Sequence, residues 1–374
     1  MRVEIIQEKK IVCSNPLNPL ESFFGWPTVC RLPDGTLALA SSGLRLGHFC
    51  PFGKGVICYS RDEGKSWTAP AVVLDTPLDD RDAGLAVGKD GSVVLTSFNN
   101  TVGAQRWANK ALNKSEKIQQ FLVEYLRYLQ STDAEEKYLG SLWLISRDGG
   151  YHFDEMKKVP VSAPHGPAPL QEGGFLYVGT LFDSDDKDGV SKRGNSVVCI
   201  KVDEKGDWEY LSEIDNVDEE GCSGSYEPHA IQLPDGKIVV HIRVQFNNHK
   251  ELTVYQSESV DGGVTFTKPH KLTDRSDIRG PAHLMYHSSG ALISTYGCRN
   301  KPFGVGAIIS YDGGETWSEE LRLVSDGHSK DIGYPCSVEL ENGDILTVYY
   351  DHQDALYDND SPAVIEQVVW RINK

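Results

Sequence analysis

The sequence predicts an all-β protein: a six-bladed β-propeller of four-stranded antiparallel blades, with one helical insertion. Three observations predict this fold: a hairpin signal that recurs six times, a second turn motif that recurs four times, and one stretch of helical periodicity. Closed all-β architectures of this length often form one domain. Residues 1–374 are therefore expected to be a single propeller domain.

The hairpin signal is a turn containing glycine between an apolar segment and an alternating apolar strand. Asp-Gly and Asn-Gly turns between such strands are strong indications of a β-hairpin. The turns recur at intervals of about 50–60 residues, which suits four-stranded propeller blades, with one longer interval. Their glycines are Gly35, Gly91, Gly173, Gly236, Gly290 and Gly343.

The long interval contains the helical insertion, which we assign to residues 104–138. Within it, the three- to four-residue spacing of an amphipathic helix is followed by Ile118, Phe121/Leu122, Tyr125/Leu126 and Leu129. Packing on the propeller rim is the first interpretation of this helix. The alternatives are a contact between copies in a homo-oligomer and a lid over an active site.

The second motif reads Ser-x-Asp-x-Gly-x-x-Trp/Phe and begins at Ser60, Ser146, Ser259 and Ser310. In a tight turn of this kind, the aspartate accepts hydrogen bonds from nearby backbone amides, the glycine adopts a positive φ, and the aromatic ring packs inward. These aspartates are therefore expected to be structural, and neither catalytic residues nor metal ligands.

Composition argues against several classes of partner. The chain has 37 basic and 54 acidic residues and a net charge of −17, which disfavours nucleic acid and anionic membrane surfaces. No apolar signal region follows Met1, and no apolar run is long enough to cross a membrane. The eight cysteines form no CxxC pair, so we expect a reducing, cytoplasmic location with neither a metal nor a cofactor.

The four turn motifs, in phase with the six hairpins, resemble the Asp-box (BNR) repeat of the sialidase, or neuraminidase, superfamily. The resemblance covers nearly the whole chain, from about Gly25 to Tyr350. It implies a glycosidase whose site lies at the mouth of the propeller axis. It also implies an arginine triad for the substrate carboxylate, an aspartate acid/base, and a tyrosine nucleophile paired with a glutamate.

Matching this sequence to the family position by position assigns the nucleophile and its partners. The segment from Tyr226 to Arg243 resembles the family segment with a glutamate before a hairpin and an arginine after it. Glu227 is thus expected to polarise the nucleophile, and Arg243 to bind the substrate carboxylate. Tyr334 takes the place of the tyrosine nucleophile; a phenol of pKa near 10 needs such a base close by.

The acid/base aspartate of the family lies on a loop after the first Asp-box. Asp82 is the match in this sequence, with Asp79 and Asp80 as alternatives. Such an acid must be held protonated near the working pH by its surroundings.

Further basic and aromatic positions are expected to line the pocket. Arg299 matches the third triad arginine, with Arg279 as the alternative, and Arg45 resembles a further arginine that contacts substrate. The segments that begin at His165 and at Arg279 start further inner strands in this interpretation, and their histidines, His165 and His283, are expected to line the pocket with His229. Their wide separation in sequence lacks the ligand spacing of a zinc site.

The sequence departs from the family at the first triad arginine. Trp26, in Gly25-Trp26-Pro27, stands where that arginine is expected, and Tyr350 stands where the family has its supporting glutamate. A charge-assisted bidentate contact is lost. The two aromatic side chains are instead expected to stack on the sugar ring.

The leading functional hypothesis is a sialidase-like glycoside hydrolase acting on a terminal, anionic sugar of an oligosaccharide. One alternative is a propeller hydrolase or lyase for neutral sugars or uronides, in which Glu227 and Asp82 work as a carboxylate pair. The other alternative is a carbohydrate-binding propeller without catalysis, because a fold does not determine a function.

Overall fold

The structure, a computed structural model, describes residues 2–109, 115–182, 196–247, 251–273, 279–353 and 361–373. Most of the chain is strand. The strands are β1 (Arg2–Cys13), β2 (Phe23–Arg31), β3 (Leu37–Arg45), β4 (Lys54–Ser60), β5 (Ala71–Leu74), β6 (Asp79–Val87), β7 (Val93–Asn100), β8 (Ser141–Ser146), β9 (Lys157–Val159), β10 (Val161–Ser162), β11 (Ala168–Pro169), β12 (Phe175–Leu181), β13 (Val197–Val202), β14 (Trp208–Ile214), β15 (Cys222–Gln232), β16 (Ile238–Phe246), β17 (Glu251–Ser259), β18 (His270–Lys271), β19 (Arg279–Tyr286), β20 (Leu292–Cys298), β21 (Gly304–Ser310), β22 (Leu321–Val324), β23 (Gly333–Glu339), β24 (Ile345–His352) and β25 (Ala363–Asn373).

The strands form antiparallel sheets arranged as a β-propeller. Strands β6–β9, β10–β14, β15–β18 and β19–β22 each form one sheet. The remaining strands form an eight-stranded sheet in the order β23-β24-β25-β2-β3-β4-β5, with β1 beside β25. Its two halves meet through one parallel residue pair, Phe23 and Ala363.

The first strands of the successive sheets surround the propeller axis. Strands β2, β6, β11, β15, β19 and β23 contact one another in that order, and β23 contacts β2. Apolar clusters fill the space between neighbouring sheets; one contains Val178 of β12 with Val240 of β16, and another Val56 of β4 with Val348 of β24. Burial of these faces holds the ring of sheets together.

The four Ser-x-Asp-x-Gly turns share one hydrogen-bond pattern, as at Asp312. Its carboxylate accepts from the backbone amides of Glu315 and Thr316 and from the Ser310 hydroxyl. The Thr316 hydroxyl also donates to this carboxylate. Together these hydrogen bonds, with that of the Thr316 hydroxyl as the largest cause, hold the pKa of Asp312 below its ordinary value. The aromatic ring of the same turn, Trp317, reaches another sheet and donates to the Gln256 side chain at 2.9 Å. The turn aspartates are thus used in the structure of the turns.

Helices α1 (Val102–Asn109), α2 (Glu116–Leu129) and α3 (Ala134–Tyr138) lie between β7 and β8; a 3-10 helix spans Pro19–Glu21. The apolar side of α2 buries Leu122, Leu126 and Leu129, which pack with Leu78 and Val102. This agrees with the amphipathic pattern of the sequence. No helix in the described ranges is long and apolar enough to span a bilayer.

The end of β3 and the start of β6 carry three side chains that the sequence analysis placed near substrate but that the structure buries: Arg45, Asp79 and Asp80. Arg45 and Asp79 form an ion pair of 2.6 Å in which both side chains are 0% exposed. Asp80 accepts hydrogen bonds from the backbone amide and hydroxyl of Thr76, both at 2.7 Å. The structure thus uses Arg45, Asp79 and Asp80 in buried polar contacts. This arrangement does not support the expected substrate contact of Arg45 or the alternative assignments of Asp79 and Asp80 as the acid.

Two glycines fix how closely the inner strands approach. A Cβ atom on Gly84 of β6 would lie 2.4 Å from the backbone nitrogen of Gly166. Gly84→Ala is therefore expected to lower the free energy of unfolding by about 2–3 kcal/mol, the typical cost of overpacking. Gly262→Ala is the control: nothing lies within 4 Å of its Cβ position, so only its positive φ of 77° opposes alanine, and a smaller loss of roughly 1 kcal/mol is expected. An equal loss in both variants, measured by urea denaturation, would contradict this packing.

The buried carboxyl of Asp80 predicts a pH dependence of stability. Burial raises its pKa to about 7. Between about pH 4 and pH 7 the unfolded chain ionises while the folded chain keeps the proton, so stability falls as pH rises and then levels off. Asp80→Asn lacks this component. Its stability relative to wild type should increase by about 2–4 kcal/mol from pH 4 to pH 8 in urea denaturation.

The control for this measurement is Asp326→Asn, because that carboxylate is exposed at the surface beside Lys9. Its stability relative to wild type should show no such increase between the two pH values. A pH-independent difference for Asp80→Asn would show that Asp80 is ionised in the folded protein.

Candidate active site

Four inner strands share a bulge with the same unusual backbone. Trp26, Asp82, Glu227 and Tyr334 have φ values of 55°, 47°, 47° and 50°, and the strand register shifts around each of them. A non-glycine residue in this left-handed region costs roughly 1–2 kcal/mol, and such strain is concentrated at functional sites. A bulge redirects the side chain that it carries. Three of the four are the predicted catalytic residues.

The centre of the site is a contact between Tyr334, Glu227 and Arg243. The Tyr334 hydroxyl donates to Glu227 Oε1 at 2.5 Å, and Arg243 Nη1 donates to Glu227 Oε2 at 2.6 Å. The same arginine nitrogen lies 3.4 Å from the tyrosine oxygen. One carboxylate thus orients both the phenol and the guanidinium, although Glu227 and Tyr334 are 107 positions apart.

The pKa shifts assign the proton of this contact. Burial and then the charge of Glu227 raise the pKa of Tyr334 well above its ordinary value. Burial alone would raise the pKa of Glu227 as well, but the Arg243 charge and the Tyr334 hydrogen bond outweigh it and hold that pKa low. The phenol therefore keeps its proton in the free protein. Glu227 is an ionised base within reach of it.

Asp82 lies near this centre but makes no direct hydrogen bond to the tyrosine. It is buried, and its charge contributes to the raised pKa of Tyr334. The structure thus brings Asp82, Glu227 and Tyr334 to one site.

Arg299, rather than its alternative Arg279, lies beside the tyrosine. The guanidinium of Arg299 is 5.8 Å from the Tyr334 ring centroid, and its Nε and Nη2 atoms are buried without a hydrogen-bond partner among the described residues. Arg279 instead forms a 2.6 Å ion pair with Glu320 and lies over the Tyr296 ring. The assignment of Arg279 to the pocket is therefore not supported.

Trp26 and Tyr350 are both present near Tyr334, but neither offers an open face for a sugar. Trp26 is 2% exposed and Tyr350 is 0% exposed. Their ring centroids are 6.0 Å apart, and the Trp26 face is covered by the Arg81 guanidinium at 4.3 Å. Because other side chains cover them, the structure does not support the expected stacking of these aromatic faces on substrate.

Asp331 is a site residue that the sequence reasoning missed. Its carboxylate accepts a 2.6 Å hydrogen bond from the Tyr350 hydroxyl and lies 3.1 Å from His352 Nε2 and 3.8 Å from Arg299 Nη1. Nδ1 of His48 lies 3.4 Å from the same carboxylate. Asp331 thus links the side chains of Tyr350 and His352 to that of Arg299. The only local signal is its place three residues before Tyr334.

Three histidines lie together near the tyrosine. The ring centroids of His165 and His229 are 5.7 Å apart, and His229 stacks on His283 at 4.4 Å. His165 does not begin a strand as expected, but lies between β10 and β11. Burial lowers the pKa of all three well below the ordinary value, so they are neutral.

The histidine tautomer disfavours a metal at this cluster. The Leu284 backbone amide donates to His229 Nδ1 at 3.0 Å, which places the His229 proton on Nε2. A protonated ring nitrogen cannot ligate a metal. No group of three or more candidate ligands in the described ranges is arranged for a metal ion.

Comparison with known proteins identifies a family that this chain matches. Residues 125–347 match the family described as BNR repeat-like domain, and no curated protein matches the chain in sequence. A protein of unknown function from Dyadobacter fermentans has a TM-score of 0.74 at 21% identity and covers 99% of both chains.

Two enzymes of known activity share the fold at lower identity. The K499G mutant of NanB sialidase from Streptococcus pneumoniae has a TM-score of 0.66 at 12% identity, over 99% of this chain and 71% of that chain. The α-L-arabinanase of Penicillium chrysogenum has a TM-score of 0.57 at 14% identity, over 98% of both chains. These superpositions establish the propeller fold. Because the sequence match covers more than half of the chain, this protein belongs to the family of BNR repeat-like domains.

Proposed function

We propose that this protein is a glycoside hydrolase that removes a terminal, anionic sugar from an oligosaccharide, with Tyr334 as the nucleophile. The observation that carries the proposal is the 2.5 Å hydrogen bond from the Tyr334 hydroxyl to the ionised Glu227. A neutral phenol is a poor nucleophile without an adjacent base. A buried phenol, carboxylate and guanidinium in contact fit that requirement.

In the first step, Tyr334 Oη attacks the anomeric carbon as the glycosidic C–O bond breaks. The phenol proton passes to Glu227, and Asp82 gives its proton to the departing oxygen. This leaves a covalent glycosyl-tyrosine and a free leaving-group alcohol. In the second step, Asp82 takes a proton from water, whose oxygen attacks the anomeric carbon, and the tyrosine leaves with the proton returned from Glu227. Two displacements give retention of anomeric configuration.

Arg243 and Arg299 are proposed to bind the anionic group of the sugar. Arg299 carries two nitrogen atoms that take part in no hydrogen bond with described residues. Charge-assisted bonds from such a fork to a carboxylate are among the stronger polar contacts in proteins. This favours an anionic sugar over the neutral-sugar alternative.

We also propose that the propeller has six blades. The eight-stranded sheet then counts as two blades, β2–β5 and β23–β25 with β1, since only one parallel residue pair joins them. The closed sequence of inner strands supports this division.

The first test is hydrolysis of chromogenic glycosides of sialic acid, related keto-deoxy sugars, uronides, and neutral pentoses and hexoses. Release from a keto-deoxy or uronic acid is expected, with retention visible in the product by NMR. Tyr334→Phe should lower kcat by about 10³-fold or more, because the nucleophile is lost. Release only from neutral sugars, or no release at all, would contradict the proposal.

The matched control is Tyr349→Phe. Tyr349 is also buried and donates a 2.7 Å hydrogen bond to a glutamate, Glu366, but lies outside the pocket. It should keep its activity, and both variants should show the thermal unfolding of the wild type within a few degrees. Equal loss of activity in the two variants would indicate a structural effect.

Glu227 predicts the acidic limb of the pH profile. Catalysis needs its ionised form, whose pKa lies below the ordinary 4.5, so kcat/KM should stay high as pH falls to about 4.5 and decline only below it. Glu227→Gln should lower kcat by about 10²–10⁴-fold and remove this limb. If the acidic limb of the kcat/KM profile remains in Glu227→Gln, that limb belongs to another group.

A further inference from the structure

Arg81 is a basic residue that the catalytic assignments leave unused. It precedes Asp82 in β6, and its side chain is almost fully buried. Its Nη1 atom donates to the His48 carbonyl at 2.6 Å and lies 3.3 Å from Asp79 Oδ2. Its Nε and Nη2 atoms make no hydrogen bond with any described residue. Most of its donor fork thus remains unused by the protein.

The surroundings of Arg81 hold its guanidinium in one place. The guanidinium carbon of Arg81 lies 4.3 Å from the centroid of the Trp26 ring and 4.9 Å from the centroid of the Phe49 ring. Cation–π contacts with aromatic rings favour such a position, and a preorganised guanidinium loses little entropy when it binds an anion.

The charge balance at this position favours an anion. The nearest carboxylate, Asp79, is already paired with Arg45 at 2.6 Å, so two guanidiniums share one carboxylate. Asp80 does not offset the second charge, because burial raises its pKa to about 7. The two guanidiniums thus exceed the one carboxylate that pairs with them, in a poorly solvated place where attraction for an anion is strong.

Arg81 and Arg299 each lie beside one ring of the neighbouring Trp26 and Tyr334 pair. Arg81 lies over Trp26, the Trp26 ring meets the Tyr334 ring at 6.4 Å, and Arg299 lies 5.8 Å from the Tyr334 ring. The two guanidiniums therefore stand beside one pair of rings. The tryptophan at position 26 holds a guanidinium from the neighbouring sheet where the resemblance expected an arginine on β2.

We infer that Arg81 is a specificity-determining residue that supplies the cation which position 26 lacks, and that Arg81 and Arg299 together select a sugar carrying a carboxylate. The inference rests on the proposed function for the position of the sugar over Tyr334. It adds a recognition residue from β6 and names the carboxylate as the anion.

The test compares equilibrium binding of an acid and a neutral sugar by calorimetry or NMR titration. The probes are N-acetylneuraminic acid, galacturonic acid and galactose. Arg81→Gln should weaken binding of the preferred acid by roughly 10- to 100-fold, the loss expected for a charge-assisted bidentate contact. Galactose binding should not change. Arg81→Lys should restore part of the affinity, because the charge remains while the fork is lost.

The control variant is Arg147→Gln, whose side chain is 55% exposed at the surface and should leave every affinity unchanged. Equal weakening of acid and neutral sugar in Arg81→Gln would show a structural role and overturn the inference, as would an unchanged acid affinity. A wild-type protein that prefers neither acid over galactose overturns it too.

The binding and turnover measurements distinguish failure of the inference from failure of the proposed function. If Arg81→Gln loses acid binding selectively but the wild type cleaves no glycoside, the proposed hydrolase is wrong and the recognition role of Arg81 stands. If the wild type cleaves an acidic glycoside and Arg81→Gln keeps its KM, the inference is wrong and the hydrolase stands.

Discussion

The left-handed backbone at the inner bulges is the constraint on which the site depends. Each of Trp26, Asp82, Glu227 and Tyr334 adopts a positive φ that an isolated strand would avoid. The surrounding sheets hold these conformations, since each bulge lies in a paired strand packed between neighbours. Packing and pairing of the sheets therefore offset the backbone strain at the bulges. The strained bulges in turn direct side chains from separate strands toward one another.

Within this frame, the proposed chemistry depends on a buried charge pair. A buried carboxylate with no partner would take up a proton. Arg243 keeps Glu227 ionised, and the ionised Glu227 orients the Tyr334 hydroxyl. Removing either charge would leave the other buried alone, which costs several kcal/mol. The three side chains therefore act as a unit, and the contribution of one cannot be separated from the others.

The sequence predicted the propeller because hairpins and turns are local patterns that repeat. The grouping of Tyr334, Glu227 and Arg243 was predicted only through the resemblance to the sialidase superfamily, whose motif positions these residues match. The sequence could not distinguish Arg45, which is paired with Asp79, from Arg299, whose Nε and Nη2 atoms have no partner among the described residues, because such pairing depends on neighbours from other strands. Arg81 and Asp331 went unnoticed for the same reason: their partners come from distant segments. The covering of Trp26 likewise has no local signature.

Strand β1 lies beside β25, with Arg2 opposite Asn373 and Cys13 opposite Ile365. This seam joins segments separated by almost the entire chain, and contacts of such separation slow folding. During synthesis from the N-terminus, β1 waits without its partner until the last strand has been made. Tyr334 lies on β23 of the same sheet, so its surroundings are complete only when the seam closes. A chain interrupted before β25 would carry the tyrosine but lack the strand that completes its sheet, which ties competence to translation through β25.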